Sequence, residues 1–431
     1  MKSFWSVFLI LFSVVLFCYY EFLTFVVLES VSLDVYFISR FVVGALFTLY
    51  LMRVFSRRYR DAVDAWNANK PAEQRAQPRA ASYLQYLLSL DALHRLLLIT
   101  NAICWSFSTI FLSFAFALSN SLVAAYIFFL VHPLWTLVLR VATRPFTGAV
   151  ASPQHPRILL AEILFPVKTL VSVAFMILGT IIFLIGAKVA MPDSTATLGD
   201  APSVVWKSLI AALADQLSVY LFAALGGFAF GLGNYTVELI GNIEKSVDRF
   251  PGRANDVKDF ELARERGIYK QYMMLSRYLA GLVGGYLAMV LVKSYSTTRG
   301  PLHLEQGQSK MAILYQTYPF LDVKVGSGNM NLSVVILLVL IGVISCFANY
   351  LFAKMISDTN SALVTGIELL TVPIALGLIW IHGFPESLAT PFLAWTGILI
   401  QIVAAFLIHR YTSPDSGIVK ARVSLAQPQP L

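Results

Sequence analysis

The stretch Asn120 to Pro133 reads NSLVAAYIFFLVHP, and the stretch Asn360 to Pro373 reads NSALVTGIELLTVP. The two align without a gap, and five aligned positions are identical: Asn120/Asn360, Ser121/Ser361, Ile127/Ile367, Leu130/Leu370 and Pro133/Pro373. A chance alignment in so apolar a composition would give about one identity. A second pair of similar segments, SRFVVGA from Ser39 and SRYLAGL from Ser276, supports the comparison. The chain therefore contains an internal repeat, in which Phe128 of the first copy is replaced by Glu368 in the second.

The composition indicates a membrane protein. Hydrophobic residues make up 58% of the 431 residues and charged residues only 13%, whereas soluble domains carry about 25% charged residues. The first apolar run is longer than the ~7–15-residue core of a signal peptide and no small-residue cleavage pattern follows it, so we expect a retained helix. Cys18, Cys104 and Cys346 lie in apolar runs without metal-ligand spacing, so neither a disulfide nor a metal site is expected.

Ten apolar runs are each long enough, at about 20 residues, to cross a hydrocarbon core of ~30 Å. Backbone polar groups inside a bilayer must be paired within the segment, so these runs are predicted to be helices. The predicted spans are 4–28, 35–55, 94–117, 121–142, 163–188, 208–236, 272–294, 331–356, 361–382 and 387–409. The expected fold class is therefore an all-α integral membrane protein with ten transmembrane helices.

The distribution of positive charge predicts the orientation of these helices. With the N-terminus placed on the inner side, 24 of the 32 Lys and Arg residues lie on that side and seven on the outer side, and Lys168 lies near the inner start of the fifth span. Since cytoplasmic loops are enriched in Lys and Arg, both termini are expected in the cytoplasm. The basic residues are scattered over several loops without interleaved stacking aromatics, so no nucleic-acid partner is expected.

The repeated segments fall in spans four and nine and in spans two and seven, which predicts two homologous halves of five helices. An odd number of helices places the second half in the membrane in the opposite orientation, as in many secondary transporters. The predicted divisions are 1–190 for the first five-helix repeat, 191–207 for an outer linker, 208–412 for the second repeat and 413–431 for a cytoplasmic tail. A duplicated scaffold without transport is the alternative.

Several longer segments carry a resemblance to a known family. They are SRFVVGALFTLYLMRVF in the second span, FLSFAFALSNSLVAAYIFFLVHPLW across the third and fourth, MILGTIIFLIGAK in the fifth, and YLFAKMISDTNSALVTGIELLTVPIALGLIWIHGFPESLATPFLAWTGILIQIVAAFLI near the end. Together they resemble the drug/metabolite transporter superfamily, specifically its EamA-like ten-helix members. The resemblance implies a secondary transporter without a cofactor, which exports metabolites or amphiphilic compounds from a bacterial cytoplasm across the plasma membrane (the inner membrane).

Glu368 is the sharpest candidate for a functional side chain. An ionisable group inside a membrane is costly, and such residues mark substrate or ion pathways. Glu368 lies about seven residues into the ninth span, which is ~10 Å of helix rise, and its repeat mate Phe128 indicates that the fold needs no carboxylate there. We expect Glu368 to bind substrate or a coupling proton. A structural carboxyl group, satisfied by a neighbouring amide or hydroxyl, is the alternative.

Other polar residues at membrane depth complete the predicted substrate or proton site. His132 lies beside Pro133 and could face the same cavity as Glu368, although a lone histidine in a membrane is more often a packing residue. Pro133 and Pro373 free backbone carbonyls one turn earlier, and breaks at matching positions point to a transporter's binding site. Amide groups that line the cavity or join helices are predicted at Asn101, Asn234 and Asn349.

Two predicted ion pairs could act as gates. Glu21 and Arg40 lie nearly equidistant from the turn that joins the first two spans, so they should meet on the outer side. Glu238 and Arg277 hold the corresponding places around the inner connection of the second half. The alternative is that these charges reach to the lipid headgroups.

Other function classes fit the sequence less well. A nucleotide-sugar or lipid-linked-sugar carrier of the same fold should place several cations against phosphate, and only Lys168, Arg40 and Arg277 are available. A membrane enzyme is not expected because the six histidines are dispersed and no acidic cluster accompanies them. No phosphate-binding G-x-x-x-x-G-K-[ST] motif is present. The long loops 53–93, 242–271 and 294–330 are read as solvated linkers, while a non-transporting subunit and a homodimer stay open. The expected partners are a small-molecule substrate and the lipid bilayer.

Overall fold

The structure, a computed structural model, describes residues 2–68, 83–90, 92–119, 217–247, 270–290, 310–318, 332–358, 371–382 and 391–412, with scattered positions between 122 and 139, between 171 and 183, and at 364 and 368. Its helices are α1 (Lys2–Val27), α2 (Leu33–Asn67), α3 (Tyr83–Ser89), α4 (Ala92–Leu118), α5 (Leu217–Val247), α6 (Lys270–Val290), α7 (Lys310–Thr317), α8 (Leu332–Asp358), α9 (Thr371–Ile381) and α10 (Pro391–Thr412). The described residues contain no strand.

Six of these helices are long and apolar enough to cross a membrane. The qualifying segments are Phe8–Val27, Leu33–Arg58, Ala92–Leu118, Leu217–Gly241, Lys270–Val290 and Leu332–Ile356. They correspond to predicted spans one, two, three, six, seven and eight. Most residues of the predicted fourth and fifth spans, and the N-terminal part of the ninth, lie outside the described residues. The chain is therefore a helical membrane protein with at least these six candidate spans.

The connection between α1 and α2 explains why the two helices run antiparallel. Leu28 to Val31 continue as hydrogen-bonded turns, in which Ser30 N donates to Val27 O at 2.9 Å and Val31 N donates to the same oxygen at 3.1 Å. Ser32 then has an extended backbone before α2, and Asp34 places a carboxylate in the first turn, where it complements the helix dipole. So short a connection brings residues equally distant from it, such as Glu21 and Arg40, to the same depth.

Helices that are distant in the chain form the most extensive contacts. α4 packs along α5, while α8 packs against both α1 and α2, and α1 also contacts α9. The centre of this bundle is largely aromatic: Phe17 lies 5.8 Å from Phe230 and 6.2 Å from Phe129, measured between ring centroids. Phe352 of α8 adds a fourth ring, 5.7 Å from that of Phe230. The exposed large side chains, such as Ile38, Tyr286 and Leu399, lie on helices that a bilayer would surround.

Two reciprocal contacts involve glycines. A Cβ atom at Gly44 of α2 would overlap the Tyr278 ring of α6, and a Cβ at Gly281 of α6 would overlap the Phe41 ring of α2. In the alignment of SRFVVGA with SRYLAGL, Phe41 corresponds to Tyr278 and Gly44 to Gly281. In each helix the glycine therefore packs against the aromatic ring of the other helix, and the two rings, Phe41 and Tyr278, are themselves at aligned positions.

The 294–330 loop contains a packed helix, which differs from the predicted solvated linker. Met311 and Leu314 of α7 are buried, and the Met311 backbone N–H donates to Glu29 Oε2 at 3.2 Å. Tyr315 shares a hydrogen bond of 3.0 Å with Ser333, and the Tyr318 ring meets His382 edge-on at 5.4 Å. The start of the 53–93 loop is helical, because α2 continues to Asn67, and most of its described side chains beyond Ser56 are exposed.

Candidate functional site

Glu368 and His132 form a buried pair. Glu368 Oε2 lies 2.5 Å from His132 Nε2, and the two side chains are 2% and 0% exposed. His132 Nδ1 lies 3.1 Å from the Phe129 carbonyl oxygen, which can only accept, so Nδ1 carries a hydrogen. A proton therefore lies between Glu368 Oε2 and His132 Nε2: either the carboxyl group carries it and donates to Nε2, or Nε2 carries it and donates to the carboxylate. The backbone is fixed at the same place, since the Thr371 hydroxyl donates to the Glu368 carbonyl oxygen.

Aromatic rings exclude water from this pair. The centroid of the His132 ring lies 5.0 Å from that of Phe230, which meets it edge-on, and 5.4 Å from that of Phe129. A proton held between two groups in such surroundings has few alternative acceptors. The pair joins the two repeated segments, since His132 belongs to the first copy and Glu368 to the second. Direct contact between them was not predicted from the sequence.

The predicted pairing of Glu21 with Arg40 is present. Arg40 Nη2 donates to Glu21 Oε1 at 3.3 Å, and Arg40 Nη1 donates to the Tyr36 hydroxyl. Tyr36 in turn shares a hydrogen bond of 3.0 Å with Thr24, and the Arg40 guanidinium lies 5.0 Å from the Tyr20 ring centroid. Arg40 is 1% exposed and Glu21 2% exposed. Burial at this level excludes the alternative in which these charges reach to lipid headgroups.

Arg277 does not pair with Glu238. Arg277 Nε donates to Asn101 Oδ1 at 2.8 Å, and Asn101 Nδ2 donates to the Gly233 carbonyl at 2.8 Å and to Thr236 Oγ1 at 3.0 Å. No ion pair joins the described side chains of Arg277 and Glu238. The reason is helical phase: Glu238 follows Thr236 by two residues, which is ~200° around α5. Glu238 is half-buried on another face, where it has its own interaction.

The predicted asparagines take different places in the bundle. Asn349 accepts a hydrogen bond of 2.8 Å from Trp105 Nε1 and donates to the Ser345 carbonyl at 2.7 Å, so it joins α4 to α8. The Trp105 ring also lies 5.8 Å from the Arg277 guanidinium. Asn234 is buried on α5, and its Nδ2 has no hydrogen-bond partner among the described residues. Asn101 thus contacts Arg277 and Asn349 contacts Trp105, whereas the Asn234 amide N–H group has no acceptor among the described residues.

The predicted helix breaks can be placed only in part. Pro133 lies outside the described residues. Pro373 lies within α9, which continues through it from Thr371 to Ile381, and the residue one turn earlier is outside the described part. The described residues contain no group of three or more His, Cys, Asp or Glu that could hold a metal ion. Cys18, Cys104 and Cys346 are buried and free.

Some polar residues of the bundle were not singled out from the sequence. Tyr20 and Tyr36 lie beside Arg40, and Trp105 lies beside Arg277. Gln271 is fully buried in α6, and neither of its amide atoms has a hydrogen-bond partner among the described residues. The available signal was its spacing on α6, three residues before Met274 and six before Arg277.

Neither a protein-family model nor a curated protein matches this chain. The geometry of the buried groups therefore carries the functional argument by itself.

Proposed function

We propose that this protein is a secondary transporter, which moves a small organic metabolite or amphiphilic solute by alternating access and couples that movement to a proton. The observation that carries the proposal is the Glu368–His132 pair, with 2.5 Å between Oε2 and Nε2 inside an aromatic core. In the same proposal, the protein exports its solute across the plasma membrane of a bacterium, with both termini in the cytoplasm.

The energetic argument favours transport over a purely structural role. Ionisable groups at membrane depth are costly and mark substrate or ion pathways in proteins of this class. A scaffold could fill these positions with apolar side chains, as Phe128 does at the position aligned with Glu368. The pair also links the two repeated segments, so a change in its protonation would act on the contact between them. That is the coupling a proton-driven transporter requires.

The arrangement of ten helices as two inverted halves belongs to the proposal and has its own support. Aligned residues of α2 and α6 contact each other reciprocally, Gly44 with Tyr278 and Gly281 with Phe41. Gly179 and Gly397 also contact each other reciprocally: a Cβ on the first would lie 2.8 Å from the carbonyl oxygen of the second, and a Cβ on the second would lie 2.7 Å from that of the first. Reciprocal contacts of this kind arise when two equivalent units are related by a two-fold axis.

The pair suggests how a cycle could run. With the proton bridging Glu368 and His132, the pair is neutral or internally compensated, and the core can close around it. Departure of the proton leaves a buried negative charge beside an imidazole, which is stable only when a solute or water enters. Proton release and solute entry would thus favour the same opened state, and repeating this from the other side of the membrane would complete transport.

A ligand-stabilisation screen tests the proposal. The purified full-length chain would be heated with a panel of metabolites at several pH values, and the midpoint of thermal unfolding recorded. A true ligand at ten times its dissociation constant stabilises the native protein by ~1.4 kcal/mol. We expect at least one solute whose stabilisation depends on pH in the wild type and loses that dependence in Glu368→Gln.

A matched control is Asp64→Asn, which removes a carboxylate from the exposed end of α2. This variant should keep both the ligand and its pH dependence. A panel in which solutes stabilise wild type and Glu368→Gln equally at every pH would contradict the role given to Glu368.

A further inference from the structure

Arg277 carries a buried positive charge, and none of the described residues places a carboxylate beside it. Arg277 is 3% exposed, and its electrostatic neighbours among the described residues are the hydroxyls of Tyr278 and Tyr20. Arg40, at the aligned position of the first half, has Glu21 at 3.3 Å. Because a lone buried charge is strongly unfavourable, the difference between the two arginines needs an explanation. A counter-charge that comes with a ligand supplies one.

The hydrogen bonds of Arg277 occupy Nε but leave the two terminal nitrogens of the guanidinium, Nη1 and Nη2, without a strong acceptor among the described residues. Nε is held by Asn101, whose own amide is fixed by the Gly233 carbonyl and the Thr236 hydroxyl, so the guanidinium plane is set in one orientation. The only acceptor that the described residues offer to the two terminal nitrogens is the Met274 sulfur, 3.8 Å from Nη1. A thioether is a weak acceptor. The two terminal nitrogens thus form a donor edge without a strong acceptor.

Gln271 adds a second unsatisfied group near this edge. Its side chain is fully buried, and both of its amide atoms are without hydrogen-bond partners in the described part of the chain. Gln271 precedes Met274 by three residues, so their side chains are neighbours on the surface of α6. The Arg277 side chain extends back to the same Met274. The donor edge of Arg277 and the unpartnered amide of Gln271 therefore lie on either side of the Met274 side chain.

We propose that Arg277 and Gln271 form an anion-binding site, and that the solute transported by this protein is an organic monocarboxylate. Two carboxylate oxygens match the spacing of two guanidinium nitrogens in a bidentate pair, and the Gln271 amide can donate a third hydrogen bond. This inference rests on the proposed transport function and specifies its substrate. Arg277 and Gln271 are buried here, so the carboxylate would reach them in an opened state of the same cycle.

The charge count favours a carboxylate over a phosphate. One uncompensated arginine balances one negative charge, whereas a phosphate monoester carries about −1.5 to −2 at neutral pH. Arg40 is not available for the remainder, because Glu21 already compensates it. The rings of Trp105 and Tyr278, which pack on each other at 5.2 Å, provide an apolar wall for the organic part of the solute.

Matched pairs of acids and amides test this site. The purified full-length chain would be heated with acetate and acetamide, pyruvate and pyruvamide, hexanoate and hexanamide, and benzoate and benzamide, with inorganic phosphate as a further probe. At least one carboxylate should raise the unfolding midpoint while its amide does not. Arg277→Gln should weaken that effect by roughly tenfold or more in concentration, the size expected for loss of a charge-assisted bidentate pair. Arg53→Gln, which removes an exposed arginine of α2, should leave it unchanged.

Asn101→Asp keeps the inference testable if Arg277→Gln does not fold. The substitution is nearly isosteric and places a carboxylate where the amide oxygen now lies, 2.8 Å from Arg277 Nε. Its second carboxylate oxygen would face the Gly233 carbonyl oxygen, to which Asn101 Nδ2 now donates, so the midpoint of the ligand-free protein is not the readout. The substitution should abolish stabilisation by carboxylates, since the counter-charge is now internal. If carboxylates stabilise Asn101→Asp as they stabilise the wild type, Arg277 is not an uncompensated charge and the site is overturned.

The outcomes separate this inference from the transport proposal. Stabilisation by phosphate, or only by neutral or cationic solutes with Glu368-dependent pH behaviour, would overturn the monocarboxylate while leaving transport in place. A carboxylate that binds through Arg277 but is never carried across proteoliposomes would support the binding site and overturn transport. Carboxylate binding that Arg277→Gln leaves intact would overturn the assignment of Arg277.

Discussion

At the scale of single residues, the buried charges differ in how they are compensated. Arg40 has a carboxylate and a tyrosine hydroxyl, Glu368 has an imidazole, and Arg277 has an asparagine, a thioether and an indole ring. Removing one member of a buried ion pair leaves the other charge without a partner, which is more damaging than losing a neutral contact. The cost of each substitution should therefore follow the charge of the partner that it leaves behind.

Arg40→Gln should destabilise the protein strongly because it strands the Glu21 carboxylate. Breaking a buried pair costs ~3–5 kcal/mol, and the apparent unfolding midpoint of the purified protein would measure it. Among the described residues, Arg277→Gln leaves only neutral groups behind, and it should cost clearly less. The exchange of charges in Glu21→Arg with Arg40→Glu should recover part of the loss. Equal destabilisation by Arg40→Gln and Arg277→Gln would contradict this assignment of partners.

The sequence identified several of these residues but not all of their contacts. Glu21 and Arg40 could be paired from their equal distance to one short turn, and Glu368 was evident as a carboxylate in an apolar run. Partners from distant segments could not be assigned, as with His132 and Glu368. The expected contact of Arg277 with Glu238 failed because a two-residue shift turns a side chain to another face of its helix. Depth in the membrane is readable from a sequence, whereas rotation about the helix axis is read less reliably.

At the scale of elements, glycines set how closely the helices approach. A Cβ at Gly227 of α5 would lie 2.5 Å from the Phe129 carbonyl oxygen. That oxygen belongs to the backbone and cannot move aside as a flexible side chain would. At Gly377 of α9, no atom of the described residues lies within 4 Å of an added Cβ. A small residue is therefore required at Gly227, where the backbones are in contact, and is not required by the described neighbours of Gly377.

Gly227→Ala should lower stability by ~1–3 kcal/mol, the usual cost of inserting a methyl group into a closed contact. Gly377→Ala should be neutral or stabilising by up to ~1 kcal/mol, since alanine is the better helix former. Apparent unfolding midpoints of both variants, purified in the same detergent, give the comparison. A loss at Gly377→Ala equal to that at Gly227→Ala would mean that the contact with Phe129 does not determine the effect.

Element boundaries were readable where hydrophobicity changes sharply and less so elsewhere. The predicted span 94–117 agrees with α4 to within two residues, and 331–356 agrees with α8 equally well. α2 continues past Arg53 to Asn67 because a helix does not have to end where the apolar residues do. The short α7 was missed because its contacts with α1, with Ser333 of α8 and with His382 are tertiary and leave no local signal in the sequence.

At the scale of the whole molecule, the helix bundle encloses polar side chains that come from both repeated segments, such as His132 and Glu368. α8 packs against α1, α2 and α5, and α4 packs along α5. Phe17 of α1, Phe230 of α5 and Phe352 of α8 meet in the aromatic core. The membrane class followed from composition alone. Which helices would pack together could not be read from composition, because lipid and protein interiors are almost equally apolar and helix association depends on local shape and polar contacts.

The measurement that tests the central claim most directly is solute uptake into proteoliposomes, with the internal pH recorded at the same time. The solute would be one that stabilises the purified protein, and empty liposomes provide the background. The account predicts that solute entry and proton movement occur together in the wild type and that Glu368→Gln uncouples or abolishes them. Solute and protons that cross no faster than in empty liposomes, with the protein folded and inserted, would contradict transport. Coupled movement that is unchanged in Glu368→Gln would contradict the role of the buried pair.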